Sequence, residues 1–160
     1  MRVLCCLDGT NAESMRKAAA MLTTTDPVTF GILYVIDTGP RREMEHTRER
    51  FLRPHHPPPR EHRIREAEQG SSRDILEEGR QSFQNTEALQ REGRPEREIV
   101  NVAAEWQADL VMVCPRAEYG AKPILGPKSV GHVARFVLDH APCPVLLVRP
   151  IVRDQFPLPR

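Results

Sequence analysis

The segment Gly126-Pro127-Lys128-Ser129-Val130-Gly131-His132 brings a lysine, a hydroxyl and an imidazole together just ahead of a helical pattern. Free backbone N–H groups at a helix N-terminus, helped by the helix dipole, favour an anion, so a phosphate is the ligand that this composition fits. The same residues also make an ordinary turn, with Gly126-Pro127 bending the chain and Ser129 capping the helix. Both readings stay open from the sequence. The segment falls short of a P-loop, which needs four residues between its glycines: five separate Gly120 from Gly126, and Pro127 intervenes before Lys128.

Other residues with chemical potential carry less. His55, His56 and His62 sit in a polar stretch where no regular element fixes them, and no cysteine or paired carboxylate completes a metal shell, so a solvated loop is the reading. Arg41, Arg42, Arg48, Arg50, Arg53 and Arg60 could meet nucleic acid, yet five glutamates between residues 43 and 66 offset their field and aromatic side chains for base stacking are almost absent. Cys114 stands at the end of an apolar run, where it is either a redox-sensitive thiol or a small apolar wall residue. Cys5, Cys6, Cys114 and Cys143 lack metal-type spacing, and neighbouring Cys5 and Cys6 point to opposite faces of a strand. No nucleophile with a positioned base is visible, so the chain is not expected to be an enzyme.

The elements that must hold these residues follow from periodicity. Arg2 to Leu7 is a short apolar run that ends at Asp8-Gly9-Thr10, the pattern of a buried parallel strand feeding a turn. Thr10 with Glu13 fits a capping box, and Met15, Ala18, Ala19 and Leu22 recur at helical spacing. Val28 to Ile36 reads as a second buried strand. From Asp37 to about Gln69 the chain is polar and Pro-rich, a flexible insertion whose last part could instead extend the next helix. Ile75, Leu76, Gly79 and Phe83 mark that helix. Thr86 to Gln90 is poor in apolar residues and acceptable mainly as an edge strand. Pro95 opens a helix with Ile99, Val102, Ala103 and Trp106 on one face. Ala108 to Cys114 is a fourth strand, a helix follows with Val133, Phe136 and Val137 inward, and Cys143 to Val148 is the fifth strand. Strands alternating with helices imply an α/β fold, a doubly wound parallel five-stranded sheet covered on both faces, with ligands at the carboxyl ends of the strands where the order reverses.

Length and charge narrow the classes further. The 160 residues suit one domain, residues 1–150, followed by a Pro-rich tail at 151–160. With 23 basic against 22 acidic side chains the net charge is +1, which argues against a nucleic-acid binder or a polybasic membrane binder. No apolar run approaches the roughly 18 residues of a membrane span, and the N-terminus lacks a leader pattern, so a soluble, cytoplasmic protein with reduced thiols is expected.

In these elements the sequence resembles the universal stress protein family. The resemblance rests on Val3-Leu4-Cys5-Cys6-Leu7-Asp8-Gly9-Thr10, on Glu92-Gly93-Arg94-Pro95 with Ile99, on Ala108 to Val113, and above all on His140-Ala141-Pro142-Cys143-Pro144-Val145-Leu146-Leu147-Val148-Arg149. It implies strand order 3-2-1-4-5, a dimer, and in one branch ATP or AMP at the carboxyl ends of strands 1 and 4; in that order Val145 to Val148 is an apolar edge strand, so a homodimer through the last strand is expected. It further implies that the Asp8 carboxylate stands near the adenine and that the backbone of Val35 meets the base; Gly9, Thr10, Val113, Cys114 and Val130 are expected to belong to the same nucleotide site, and Gly126, Lys128, Ser129, Gly131 and His132 are expected to hold the phosphates.

The sequence departs from the nucleotide-binding pattern at two glycines. Counting from Leu110 to Val113 puts Cys114 and Ala117 there, and counting back from His140-Ala141-Pro142 puts Gly131-His132 at the final Gly-Ser pair, with four residues inserted between. Two functions stay in view: a small stress-response module that reports an adenine nucleotide to an unknown regulatory protein partner, and a nucleotide-free dimer acting through protein contacts. Related α/β enzymes such as ATP pyrophosphatases and adenylyltransferases are disfavoured because their SGGxDS-type and HIGH-type loops are missing.

Overall fold

A computed structural model of the chain describes residues 1–22, 26–39, 59–115 and 129–149, with side chains from residue 63 onward in the helix that starts at 59. The elements in chain order are β1 (Arg2–Leu7), α1 (Ala12–Ala19), β2 (Thr29–Asp37), α2 (Pro59–Ser82), β3 (Thr86–Gly93), α3 (Pro95–Glu105), β4 (Leu110–Val113), α4 (His132–His140) and β5 (Val145–Leu147). The sheet is parallel, with order β3-β2-β1-β4-β5. It is thus the five-stranded doubly wound α/β fold expected, with the order reversing between β1 and β4.

Alternation along β1 divides the interior. Leu4 and Cys6 face a core shared with Leu33, Ile99, Val102, Trp106 and Val137, under α3 and α4. Val3, Cys5 and Leu7 face the opposite core with Met15, Ile32, Leu76 and Met112, under α1 and α2. Successive side chains on a strand point to opposite faces, so each residue of β1 serves one helical layer. Helix α2 comes closest at Gly79, where a Cβ would stand 2.6 Å from Ile32 Cγ2 and 2.7 Å from Leu7 Cδ1. Only a residue with no side chain lets the helix lie that near the sheet.

Several boundaries differ from expectation. Helix α2 starts at Pro59, so the last part of the stretch expected as an insertion is helical. Its residues 63–67 are all exposed, which is why no apolar period announced it. Residues 40–58 of the expected insertion and the tail from 150 lie outside the described residues. Strand β3 runs on to Gly93, past the expected Gln90, and its polar pattern suits its place at the sheet edge. Strand β4 is shorter than expected because the Ala108 N–H donates to the Ala103 carbonyl at 2.9 Å instead of joining a ladder. The Thr10–Glu13 capping box does not form: α1 begins after Asn11 with no side-chain cap, and Glu13 turns to Arg16 and Lys17.

Candidate functional site

The carboxyl ends of the strands part at the reversal point and leave a cavity of about 480 Å³. Its wall comes from the end of β1 (Cys6, Leu7, Asp8), Asn11, β2 (Leu33, Tyr34, Val35, Asp37), the first turn of α3 (Pro95, Glu96), the end of β4 (Val113, Cys114) and the start of α4 (Val130, His132, Val133). A cavity of this size, mainly apolar with a few convergent polar groups, is the usual form of a small-molecule site.

Register explains why the crevice offers backbone. Strand β1 pairs with β2 only as far as Leu7 opposite Tyr34, whereas β2 continues against β3 through Val35, Ile36 and Asp37. Beyond Tyr34, therefore, β2 has a strand on one side and none on the other among the described residues. Its backbone there presents carbonyl and N–H groups to the crevice, the donor and acceptor pair that a heteroaromatic base edge can match.

The turn after β1 is tied by side chains. Asp8 Oδ1 accepts from the Thr10 N–H at 2.8 Å and from the Thr10 hydroxyl at 2.9 Å. Asn11, 5 % exposed, accepts from the Asp8 N–H at 3.1 Å through Oδ1 and donates from Nδ2 to the Cys6 carbonyl at 3.0 Å. One buried amide thus satisfies both backbone groups at the point where β1 ends.

Thiols in the wall are held neutral. Burial, with the Asp8 carboxylate adding to it against a contact with the Asn11 amide, pushes Cys114 up to about 11. Burial pushes Cys6 well above the ordinary thiol range. Burial and then Asp8 raise the Tyr34 phenol. A protonated thiol is a poor nucleophile, so of the two roles open to Cys114 the wall residue is the one its environment suits.

Of the residues expected at the site, Asp8, Val35, Val113, Cys114, Val130 and His132 come together on the cavity wall. Gly9 and Thr10 form the turn beside it without lining it. Ser129 is buried and does not cap α4: Gly131 is the N-cap residue, with φ 77°, a left-handed backbone that glycine adopts without strain. The Ser129 hydroxyl has no hydrogen-bond partner among the described residues. Gly126 and Lys128 lie outside the described residues. Sequence reasoning missed Asn11, Tyr34, Asp37 and Glu96. The signal for Glu96 was present, since Pro95 marks the first helical turn directly after the β3 end.

The comparisons with known proteins agree with this fold. The chain resembles the Universal stress protein UspA from Lactobacillus plantarum at 21 % identity and TM-score 0.66, covering 93 % of this chain and 97 % of that one. It resembles a universal stress protein family protein from Arabidopsis thaliana with AMP bound at 16 % identity and TM-score 0.58, covering 99 % and 96 %. A universal stress protein in complex with cAMP matches at 15 % identity and TM-score 0.54, covering 93 % and 96 %. No curated protein matches the chain. These likenesses establish the shared fold. The model of the Universal stress protein family matches residues 1–149, nearly the whole sequence and every described element, and so the chain belongs to the universal stress protein family.

Proposed function

We propose that this protein binds an adenine nucleotide, ATP or AMP, in the crevice at the carboxyl ends of β1 and β4 and acts as a regulatory module rather than an enzyme. The observation that carries this reading is the backbone edge of β2 at Val35 and Asp37, which no described strand covers beyond Tyr34, on the wall of a cavity of about 480 Å³ that Asp8 also lines. An adenine fits that edge as a donor and acceptor pair, and the start of α4 gives the phosphate end a helix N-terminus. The neutral Cys114 thiol supports a binding role over a nucleophilic one. Bound AMP and cAMP in two structural relatives support the ligand class. Four free cysteines suit the reducing cytoplasm. Among the described residues no helix is long and apolar enough to cross a membrane. Isothermal titration with ATP, AMP and cyclic AMP tests the reading, and silence with all three overturns it.

A second reading, a nucleotide-free homodimer, is favoured by β5. This three-residue strand is the outermost of the sheet, pairs on one side with β4, and its Val145, Leu146 and Leu147 are only half-buried. An apolar edge of that kind is covered when a second copy pairs with it. Sedimentation at high concentration tests it, and a monomer throughout excludes this interface.

A further inference from the structure

Charge in the described part of the cavity wall is one-sided. The described lining holds three carboxylates, Asp8, Asp37 and Glu96, and no lysine or arginine. Two of them are tied to their own turns: Asp8 Oδ1 by Thr10, and Asp37 Oδ1 by the Gly39 N–H at 2.8 Å. Glu96 behaves differently. Its side chain is 13 % exposed and reaches from α3 to the start of α4, where Oε1 stands 3.8 Å from His132 Nε2. His132 is the first residue of α4, whose N-cap residue Gly131 has no side chain to cap it. The Glu96 carboxylate thus stands on the cavity wall beside the first side chain of α4.

We infer that Glu96 is a resident anion in the cavity wall beside His132 and that it sets the charge of the ligand this crevice prefers: a nucleoside or nucleoside monophosphate ahead of a triphosphate. The inference rests on the adenine-binding reading and concerns only the phosphate end. A phosphate chain laid toward α4 meets the carboxylate that stands beside His132, and each further phosphate charge adds repulsion in a partly buried setting. Adenosine presents no such charge, so Glu96 leaves it unaffected. Specificity of this kind works by penalising the wrong ligand rather than by adding contacts to the right one.

The test is titration of adenosine, AMP and ATP into the wild-type protein and into Glu96→Gln, Glu96→Ala and Glu96→Asp, with thermal melts showing that each is folded. Removing the charge by Glu96→Gln is expected to tighten ATP about tenfold and AMP by less, while adenosine stays within about twofold. Glu96→Ala is expected to repeat the pattern should the glutamine variant fold poorly. Glu96→Asp, which keeps the charge, is expected to hold the wild-type ratio. An ATP-to-adenosine ratio that does not move in the neutral variants overturns the role of Glu96 and leaves the adenine site standing. A loss of all three ligands in equal measure assigns Glu96 to packing alone and also overturns the role. Absence of binding by any of the three to any of the proteins overturns the adenine site itself and this inference with it.

Discussion

The two ends of the sheet are finished in opposite ways. At the amino end, polar groups are used up on one another. The Arg2 N–H donates to Asp109 Oδ2 at 2.7 Å, the Trp106 indole donates to Glu87 Oε2 at 2.9 Å with the Arg2 guanidinium 4.2 Å from the ring centre, and Asn85 Nδ2 donates to the Val28 carbonyl and to Thr29 Oγ1. Of this cluster only Arg2 Nε is buried without a hydrogen bond. At the carboxyl end the strands stop at different heights, a cavity opens, and the buried Thr38 and Ser129 hydroxyls have no hydrogen-bond partner among the described residues. Stability is concentrated at one end, and capacity for a ligand at the other. The same parallel topology produces both, because every strand delivers its carboxyl end to one side.

That contrast is tested most strongly at Trp106. Trp106→Ala removes a buried ring from the core and leaves Glu87 without its donor, so it is expected to cost about 3–5 kcal/mol in urea unfolding. Ligand affinity of the folded fraction should stay within about twofold. A large loss of affinity at matched folded fraction would show that the two ends are not independent.

The thiols distinguish the body of the sheet from the crevice by pH. Cys5, in the core, is pushed up to about 12 by burial, and Cys114, in the crevice wall, to about 11. For an acid whose folded value is raised, the unfolded chain loses its proton first, from about pH 9 upward, so stability is full below pH 9 and falls above it. The slope is at most about 1.4 kcal/mol per pH unit for each thiol, and less for Cys114, which solvent partly reaches. Cys5→Ala should therefore flatten the alkaline melting curve more than Cys114→Ala. The reverse order would place the drier environment at the crevice.

Asp8→Ala is the converse of the tryptophan variant. It is expected to lower adenine-nucleotide affinity by at least about tenfold, roughly 1.4 kcal/mol, while loss of the Thr10 contacts costs the fold less than about 1 kcal/mol. Calorimetry and a melt on one sample check both, and unchanged affinity removes Asp8 from the site.

The smallest effect belongs to the surface of α1. Arg16, with Lys17, holds Glu13 down to about 2. A lowered carboxylate stabilises the fold above its unfolded value near 4.5, and that contribution is lost as pH falls from there through about 2. Because the pair is fully exposed, the difference in Tm between wild type and Glu13→Gln should be barely measurable at pH 7 and low salt, and should vanish in acid. A large difference at neutral pH would mean that α1 is tied to the crevice more tightly than its contacts indicate.

What the sequence disclosed follows the physics of each element. Buried strands advertise themselves by unbroken apolar runs, so the ends of β1, β2 and β4 were legible and with them Asp8, Val35, Val113 and Cys114. Asn11 was not, because a polar residue at a helix start reads as solvent or cap, and its two backbone contacts depend on where β1 stops. Glu96 reads locally as a favourable acid in a first helical turn, and its role arises only when α4 packs beside α3. Ser129 had the residue type of a cap, yet the helix starts two residues later behind a glycine with left-handed backbone.

Asn11 also explains why there is a crevice. A growing parallel ladder ends only when the next carbonyl and N–H are answered elsewhere, and here one amide answers both, from Cys6 and Asp8. The side chain imitates the rung that a neighbouring strand would have supplied. It thereby occupies the last backbone groups of β1 on the side facing β4, whose pairing with β1 stops at Cys5 opposite Met112. In an architectural sense the β4 side of the opening is set by a residue that counterfeits a strand, through two hydrogen bonds rather than a bulky spacer.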